Sequence, residues 1–290
     1  MAASRAASHR YALVDVFTDV PLQGNQLAVF TDAATLPGEI LQPLARELNL
    51  SETVYVLAPE QGADARIRIF TPTAELPFAG HPVLGTAIVL GIERGLEHVT
   101  LETRAGIVPV TLVHGGGGAD ARTGSGSMLQ PVPTWQPFER APELLAALGV
   151  DSSGLPVEIY VNGPRHVYVE LASEDAVAAL SPDLRALAAL GEFGVSCFAG
   201  AGARWKARMF APALGVPEDP ATGSAAGPLA VHLARHGRVA FGEEIEIRQG
   251  VELARPSLLR ARATGSADAV ERVEVAGSAV IVASGEFVVG

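Results

Sequence analysis

The chain is 290 residues long, 48% hydrophobic and only 18% charged, a balance that supports buried cores in two domains of ordinary size. It contains no apolar run long enough to cross a bilayer as a helix. The formal net charge of −11 argues against nucleic acid and anionic membranes as partners, so an anionic ligand has to be attracted locally, by helix termini and a few basic groups.

In chain order, residues 1–10 carry two arginines with no apolar stretch after them, which predicts a disordered tail rather than a signal peptide. Residues 11–17 and 26–30 read as strands joined by an excursion through Pro21 and Gly24-Asn25. A helix is expected over 38–48, where Ile40, Leu41, Leu44, Ala45 and Leu48 recur at helical spacing. The corner Leu50-Ser51-Glu52 then leads into a strand over 53–57, and residues 66–70 alternate charged and apolar side chains as a half-buried strand does. A short helix over 82–90, closed by Gly91, precedes strands at 99–102 and 107–113. The glycine-rich run at 114–127 lacks the Lys-Ser/Thr of a phosphate loop, and no Gly-x-Ser-x-Gly elbow exists to use its His-Gly-Gly-Gly string. It reads as a flexible hairpin loop.

Pro131, Pro133 and Pro137 mark a crossing between halves, which puts an N-terminal domain at 11–130 and a C-terminal domain at 131–290. The second half is expected to hold helices at 142–148, 175–179, 182–189 and 225–235. Its strands are expected at 157–160, 166–171, 195–198, 204–210, 244–247, 257–264, 271–276 and 279–284. Many strands around few helices give α+β halves.

The chain also repeats itself. Arg68, Phe70 and Pro72 match Arg208, Phe210 and Pro212, and Ala79-Gly80-His81 matches Thr222-Gly223-Ser224. Each copy continues through a helix, a closing glycine (Gly91 or Gly237) and a strand with a turn, LETRAG or IEIRQG. A helix N-terminus behind a glycine turn presents backbone N–H groups to an anion. Two of them predict one ligand held between facing helix dipoles, with Gly80 and Gly223 across one cleft.

Among the titratable residues, Glu52 has the apolar neighbours Leu50, Val54, Tyr55 and Val56. Such surroundings raise a carboxyl pKa and suit a group that takes and returns a proton, although a turn carboxylate capping a backbone N–H has the same sequence. Asp219 reads either as a second acid/base or orienting group, or as an Asp-Pro turn. His81, just before Pro82, stands where an N-cap would, and could donate to a ligand carboxylate or shuttle a proton. His232 and His236 lie one helical turn apart, a zinc-capable spacing, but without the Glu of a His-Glu-x-x-His helix they read as a helix-end pair. Cys197 is the single cysteine. It rules out an internal disulfide, fits a reducing cytosol and reads as a buried strand residue.

Five segments, LARELNLSETVYVL, RIRIFTPTAELPFAGHPVLGTAI, YVNGPRHVYVE, CFAGAGARWKARMFAP and EDPATGSAAGPLAVHLARHG, closely resemble the PhzF family of phenazine-biosynthesis isomerases, in the diaminopimelate-epimerase-like superfamily. The resemblance covers nearly the whole chain after the tail. It implies two similar halves, each a barrel-like β-sheet around a central helix, with the active site in the cleft between them. It also implies a homodimer and neither a metal nor an organic cofactor, while the cytoplasmic location rests on the single cysteine. Matched residue by residue, the family's acid/base glutamate falls on Glu52 and its cleft histidine, aspartate and serine on His81, Asp219 and Ser224. The turns that present N–H groups fall on Gly80 and Gly223. One departure is Gln26, where the family's Gly-Asn-Pro string has proline after the residue matching Asn25.

The superfamily's racemases use a thiol from each half. This chain has one cysteine, outside both glycine turns, so that chemistry is excluded on residue count. The resemblance implies isomerisation of trans-2,3-dihydro-3-hydroxyanthranilate to its 6-amino-5-oxocyclohexene carboxylate tautomer. The alternatives are a PhzF-like isomerase of another small amino or hydroxy acid and a non-catalytic small-molecule binding protein.

Overall fold

The computed structural model describes residues 7–114 and 122–289. Most of the glycine run read as a loop, 115–121, and residues 1–6 lie outside the described residues. The chain divides into two compact units, one of Met1–Leu22, Gln26–Ser127 and Ser278–Gly290, the other of Gln23–Asn25 and Met128–Gly277. The expected domains at 11–130 and 131–290 therefore need correcting at the C-terminus, whose last thirteen residues belong to the first unit.

The first unit is built from β1 (Ala7–Val16), β2 (Asn25–Phe30), α1 (Gly38–Leu48), β3 (Glu52–Leu57), β4 (Ala65–Phe70), β5 (Glu75–Leu76), α2 (Gly80–Arg94), β6 (His98–Thr103), β7 (Gly106–His114) and β8 (Thr123–Gln130), β8 running on past its boundary. β2 and β3 are parallel, with α1 as their crossover; β3 and β4 are antiparallel; β4 and β6 are parallel, with α2 between them; β6 and β7 form a hairpin. β1 pairs antiparallel with the last stretch of the chain, Ser8↔Val288 through Val16↔Ala279. That pairing is why the C-terminus returns to this unit, and it places residues 7–10 in a strand instead of the expected tail.

α2 is apolar on every side and buried from Gly80 to Gly91, as a helix without a polar face must be. Gly85 lets it approach the sheet: a Cβ there would stand 2.7 Å from both Leu27 Cδ2 and Val16 Cγ2. The helix runs past the expected stop at Gly91 to Arg94, because the apolar face continues through Ile92, and Gly95 with φ 66° ends it. The expected loop over 123–127 is strand β8. Its glycines serve close approach to α2, since a Cβ on Gly124 would meet Ile88 Cγ2 at 2.9 Å and one on Gly126 would meet Leu84 Cδ1 at 3.1 Å.

The second unit adds β9 (Thr134–Pro137), α3 (Ala141–Leu148), β10 (Glu158–Val161), β11 (Arg165–Glu170), α4 (Glu174–Ala178), α5 (Leu184–Ala188), β12 (Gly194–Ala201), β13 (Arg204–Ala211), β14 (Val216–Asp219), α6 (Gly223–Arg235), β15 (Glu244–Gln249), β16 (Ser257–Gly265) and the first part of β17 (Val270–Val289), which belongs to the first unit from Ser278 on. β17 is one strand where two were expected on either side of Gly277-Ser278. α6 is buried from Gly223 to Ala234. Gly237, with φ 70°, closes it as expected, sending its N–H to Ala234 O while Arg238 N–H reaches Leu233 O.

The two units share an order of pairing. β11 and β12 are parallel, β12 and β13 antiparallel, β13 and β15 parallel, β15 and β16 antiparallel, as in the first unit. The repeated Arg-x-Phe string has matching chemistry too. Arg68 clasps Glu75 through two bonds of 2.8 Å and lies 5.0 Å from the Phe70 ring; Arg208 clasps Glu218 through two bonds of 2.8 Å and lies 5.0 Å from the Phe210 ring. Each unit is thus a strand-rich layer around one sealed helix, the expected α+β architecture. Among the described residues no helix is long and apolar enough to cross a membrane.

Candidate active site

In the first unit, α1 ends on Asn49 in the left-handed conformation (φ 51°), which turns the chain through Leu50-Ser51 and starts β3 at Glu52. His81 is the second residue of α2. The N-cap is Ala79, with no side-chain cap, so the expectation that His81 occupies the cap position is corrected. His81 turns instead toward the carboxylate, its Nε2 3.1 Å from Glu52 Oε2, with side chains 4% and 13% exposed. Burial drives the imidazole pKa down to about 3 against the opposing effect of a hydrogen bond to the Gln26 backbone, so His81 is neutral at physiological pH. A neutral imidazole beside a nearly buried carboxyl is an arrangement that can pass a proton. Gly80, just before His81, opens the helix and leaves first-turn N–H groups without intrahelical acceptors.

In the second unit, Asp219 ends β14 four residues before Gly223. Thr222 Oγ1 donates to Asp219 Oδ2 at 2.6 Å, and Asn25 Nδ2 donates to Asp219 Oδ1 at 2.8 Å and to Ala221 O at 2.9 Å. Gln249 Nε2 bonds the Asp219 carbonyl at 2.7 Å and Thr222 Oγ1 at 3.0 Å. Burial raises the Asp219 pKa to about 6, opposed by the Thr222 and Asn25 hydrogen bonds and helped by the Glu218 charge. This is an oriented carboxyl poised near neutrality, beyond what an Asp-Pro turn requires.

Ser224 is the second residue of α6, placed as His81 is in α2. Its carbonyl lacks the usual helix donor four residues on, because that residue is Pro228, and Asn162 Nδ2 supplies the bond at 2.9 Å. Gln130 Nε2 bonds Gly223 O at 2.8 Å, Tyr168 OH bonds Ala225 O at 2.7 Å, and His166 Nε2 lies 3.1 Å from Ser224 Oγ. Sequence reasoning missed Asn25, Gln130, Asn162, His166 and Gln249. One signal was available for His166 and Tyr168, which alternate with apolar residues in a strand read only as structure.

The remaining candidates lie elsewhere. His232 and His236 converge on Glu158 with Arg235 and Tyr160. Burial pushes the Glu158 carboxyl up, but hydrogen bonds from His232, Arg235, His236 and Tyr160 outweigh it and hold it well below the usual range. The two histidines and Glu158 are close enough to share a cation. The Arg235 guanidinium, 2.8 Å from the same Glu158 oxygen, already supplies the positive charge there. Cys197 is fully buried, its thiol pushed up to about 12 by that burial, and is no nucleophile.

Two units of matched topology, each with a sealed helix whose first turn carries a polar group, define a diaminopimelate-epimerase-like protein. The solved hydroxyproline epimerase of Agrobacterium vitis shares the fold at TM-score 0.64 and 15% identity, over 98% of this chain and 92% of that one. A PhzF-family protein of Bacillus anthracis is nearer, with TM-score 0.84 and 25% identity over 98% of this chain and 100% of that one. The chain belongs to the PhzC-PhzF family of phenazine biosynthesis-like proteins, whose family model matches residues 14–285. A trans-2,3-dihydro-3-hydroxyanthranilate isomerase of Pseudomonas aeruginosa is 56% identical over 277 residues, 96% of this chain and 98% of that protein.

Proposed function

We propose that this protein isomerises trans-2,3-dihydro-3-hydroxyanthranilate to its 6-amino-5-oxocyclohexene carboxylate tautomer. The observation that carries this reading is the 56% identity, over nearly the full length of both chains, to a protein named for that activity. Glu52 takes a proton from a ring C–H; the electron pair moves through the diene and the proton returns at another ring carbon, leaving an enol that collapses to the ketone. His81, neutral and 3.1 Å from Glu52, holds the carboxyl in place and relays its proton. Asp219 orients the substrate's amino or hydroxyl group and exchanges a proton near neutral pH. Ser224 and the N–H groups that Gly223 presents at the head of α6 bind the carboxylate, and Gly80 presents N–H groups to the substrate at the head of α2. The protein works as a homodimer in the cytosol, where its single thiol stays reduced.

Incubating the purified protein with this substrate and following ultraviolet absorbance tests the reading. Rapid loss of the diene spectrum with formation of the ketone supports it. Binding without turnover would leave a small-molecule binding protein, and turnover only of another small amino or hydroxy acid would move the activity within the family.

A further inference from the structure

In each unit the second residue of the buried helix is met by a side chain from a parallel strand pair, but from different strands. Parallel pairing sets Leu27 opposite Glu52 in β2 and β3, and His166 opposite Gly194 in β11 and β12. By register Gly194 holds the place of Glu52 and His166 that of Leu27, so with His81 and Ser224 both second in their helices, Glu52 reaches His81 from β3 whereas His166 reaches Ser224 from β11, the strand that matches β2. The first pair combines a carboxyl with an imidazole, the second an imidazole with a hydroxyl.

The protonation of this second pair follows from its surroundings. His166 and Ser224 are each 5% exposed, and His166 Nε2 is 3.1 Å from Ser224 Oγ. The other ring nitrogen, Nδ1, is buried without a partner among the described residues, and Gly194 closes that side, where even a Cβ would come within 2.9 Å of it. A buried N–H without an acceptor costs more than a buried lone pair without a donor, so the proton sits on Nε2. Burial lowers the imidazole pKa to about 4, which keeps the ring neutral with that single proton. Nε2–H therefore donates to Ser224 Oγ. The hydroxyl proton then points elsewhere, and among the described residues no protein group accepts it. Asn162, bonded to the Ser224 carbonyl, holds the turn in this position.

We propose that His166 is a positioning residue that fixes the Ser224 hydroxyl as a hydrogen-bond donor to the substrate carboxylate. The assignment rests on the proposed function for the identity of the ligand, though the tautomer does not depend on it. A hydroxyl left to rotate would serve equally as acceptor; one already receiving a hydrogen bond from Nε2–H is set to donate.

Nitrogen-15 NMR of histidine-labelled protein reads the tautomer directly. His166 is expected to show a protonated Nε2 and a bare Nδ1 at neutral pH; a protonated Nδ1 overturns the proposal whether or not the enzyme turns over the hydroxyanthranilate. For the carboxylate role, His166→Leu is expected to raise KM about tenfold with kcat changed less than about threefold, the pattern of lost uniform binding through one charge-assisted bond. His166→Gln, which keeps an N–H in that region, is expected to recover most of the loss. In a Ser224→Ala background His166→Leu is expected to add nothing. Additive effects, or a kcat loss at unchanged KM, overturn the role. If the leucine variant does not fold, the glutamine variant in both backgrounds and the tautomer decide. Absence of wild-type turnover counts against the proposed function and leaves the tautomer result standing.

Discussion

Thr222 is the N-cap of α6, yet its hydroxyl donates to the Asp219 carboxylate at 2.6 Å and caps no helix N–H. An N-cap bond is worth roughly 1 kcal/mol to a helix. Here that side chain serves to orient a carboxylate instead, and Asn25 and Gln249 complete its frame.

The elevated Asp219 pKa has a consequence for stability. With its pKa raised from 3.8 to about 6 by burial, the folded protein keeps a proton between these values that the unfolded chain releases. Stability is therefore lost as pH rises from about 4 to 6, by up to about 3 kcal/mol. Asp219→Asn removes this dependence. Urea unfolding midpoints from pH 4 to 7.5 are expected to show the wild type weakening relative to the variant across the window; parallel curves would contradict the shift.

The two Arg–Glu clasps differ in burial, and their deletion should differ accordingly. The Arg208 and Glu218 side chains are 9% and 12% exposed, and Arg208 also donates to the carbonyls of Ala178 and Leu180. Arg208→Ala strands a nearly buried carboxylate and is expected to cost about 3–5 kcal/mol. Arg68 is 32% exposed, and Arg68→Ala is expected to cost about 1 kcal/mol. Chemical denaturation of both variants checks the ranking, and equal losses would reject it.

His81 and Ser224 occupy the same helix position but are expected to fail differently. His81→Ala is expected to lower kcat about 10²-fold, a general acid–base magnitude. Ser224→Ala is expected to raise KM with kcat nearly kept, because carboxylate binding is common to ground and transition states. Steady-state kinetics separates the two, and a normal kcat for His81→Ala would return that residue to a structural role.

Much of this was legible in the sequence because it was written twice. The Arg-x-Phe strings and glycine turns announced matched units, and the apolar helices announced sealed ones. What escaped was set by contacts distant in sequence. Nothing near Asn25 signals that its amide serves Asp219, 194 residues away. The C-terminal strand joins β1 through pairing that no local pattern encodes. Gly124 and Gly126 looked like loop residues because glycine has the same letter whether it gives freedom or makes room for a helix. His81 looked like a cap because sequence shows position along a helix more readily than where the first turn begins.

Assembly is open to a direct mass measurement. Light scattering at micromolar concentration is expected to give twice the 30.0 kDa chain mass. A value near 30.0 kDa would remove the homodimer from the proposal.

The central claim is that Glu52, held 3.1 Å from a neutral His81, carries the proton. Glu52→Gln keeps the shape and most of the hydrogen bonding but cannot accept a proton. The most direct measurement is single-turnover conversion of trans-2,3-dihydro-3-hydroxyanthranilate by this variant, at concentrations where binding is shown to be saturated. The account predicts near-normal binding with conversion slowed by at least about 10³-fold; conversion near the wild-type rate would contradict it.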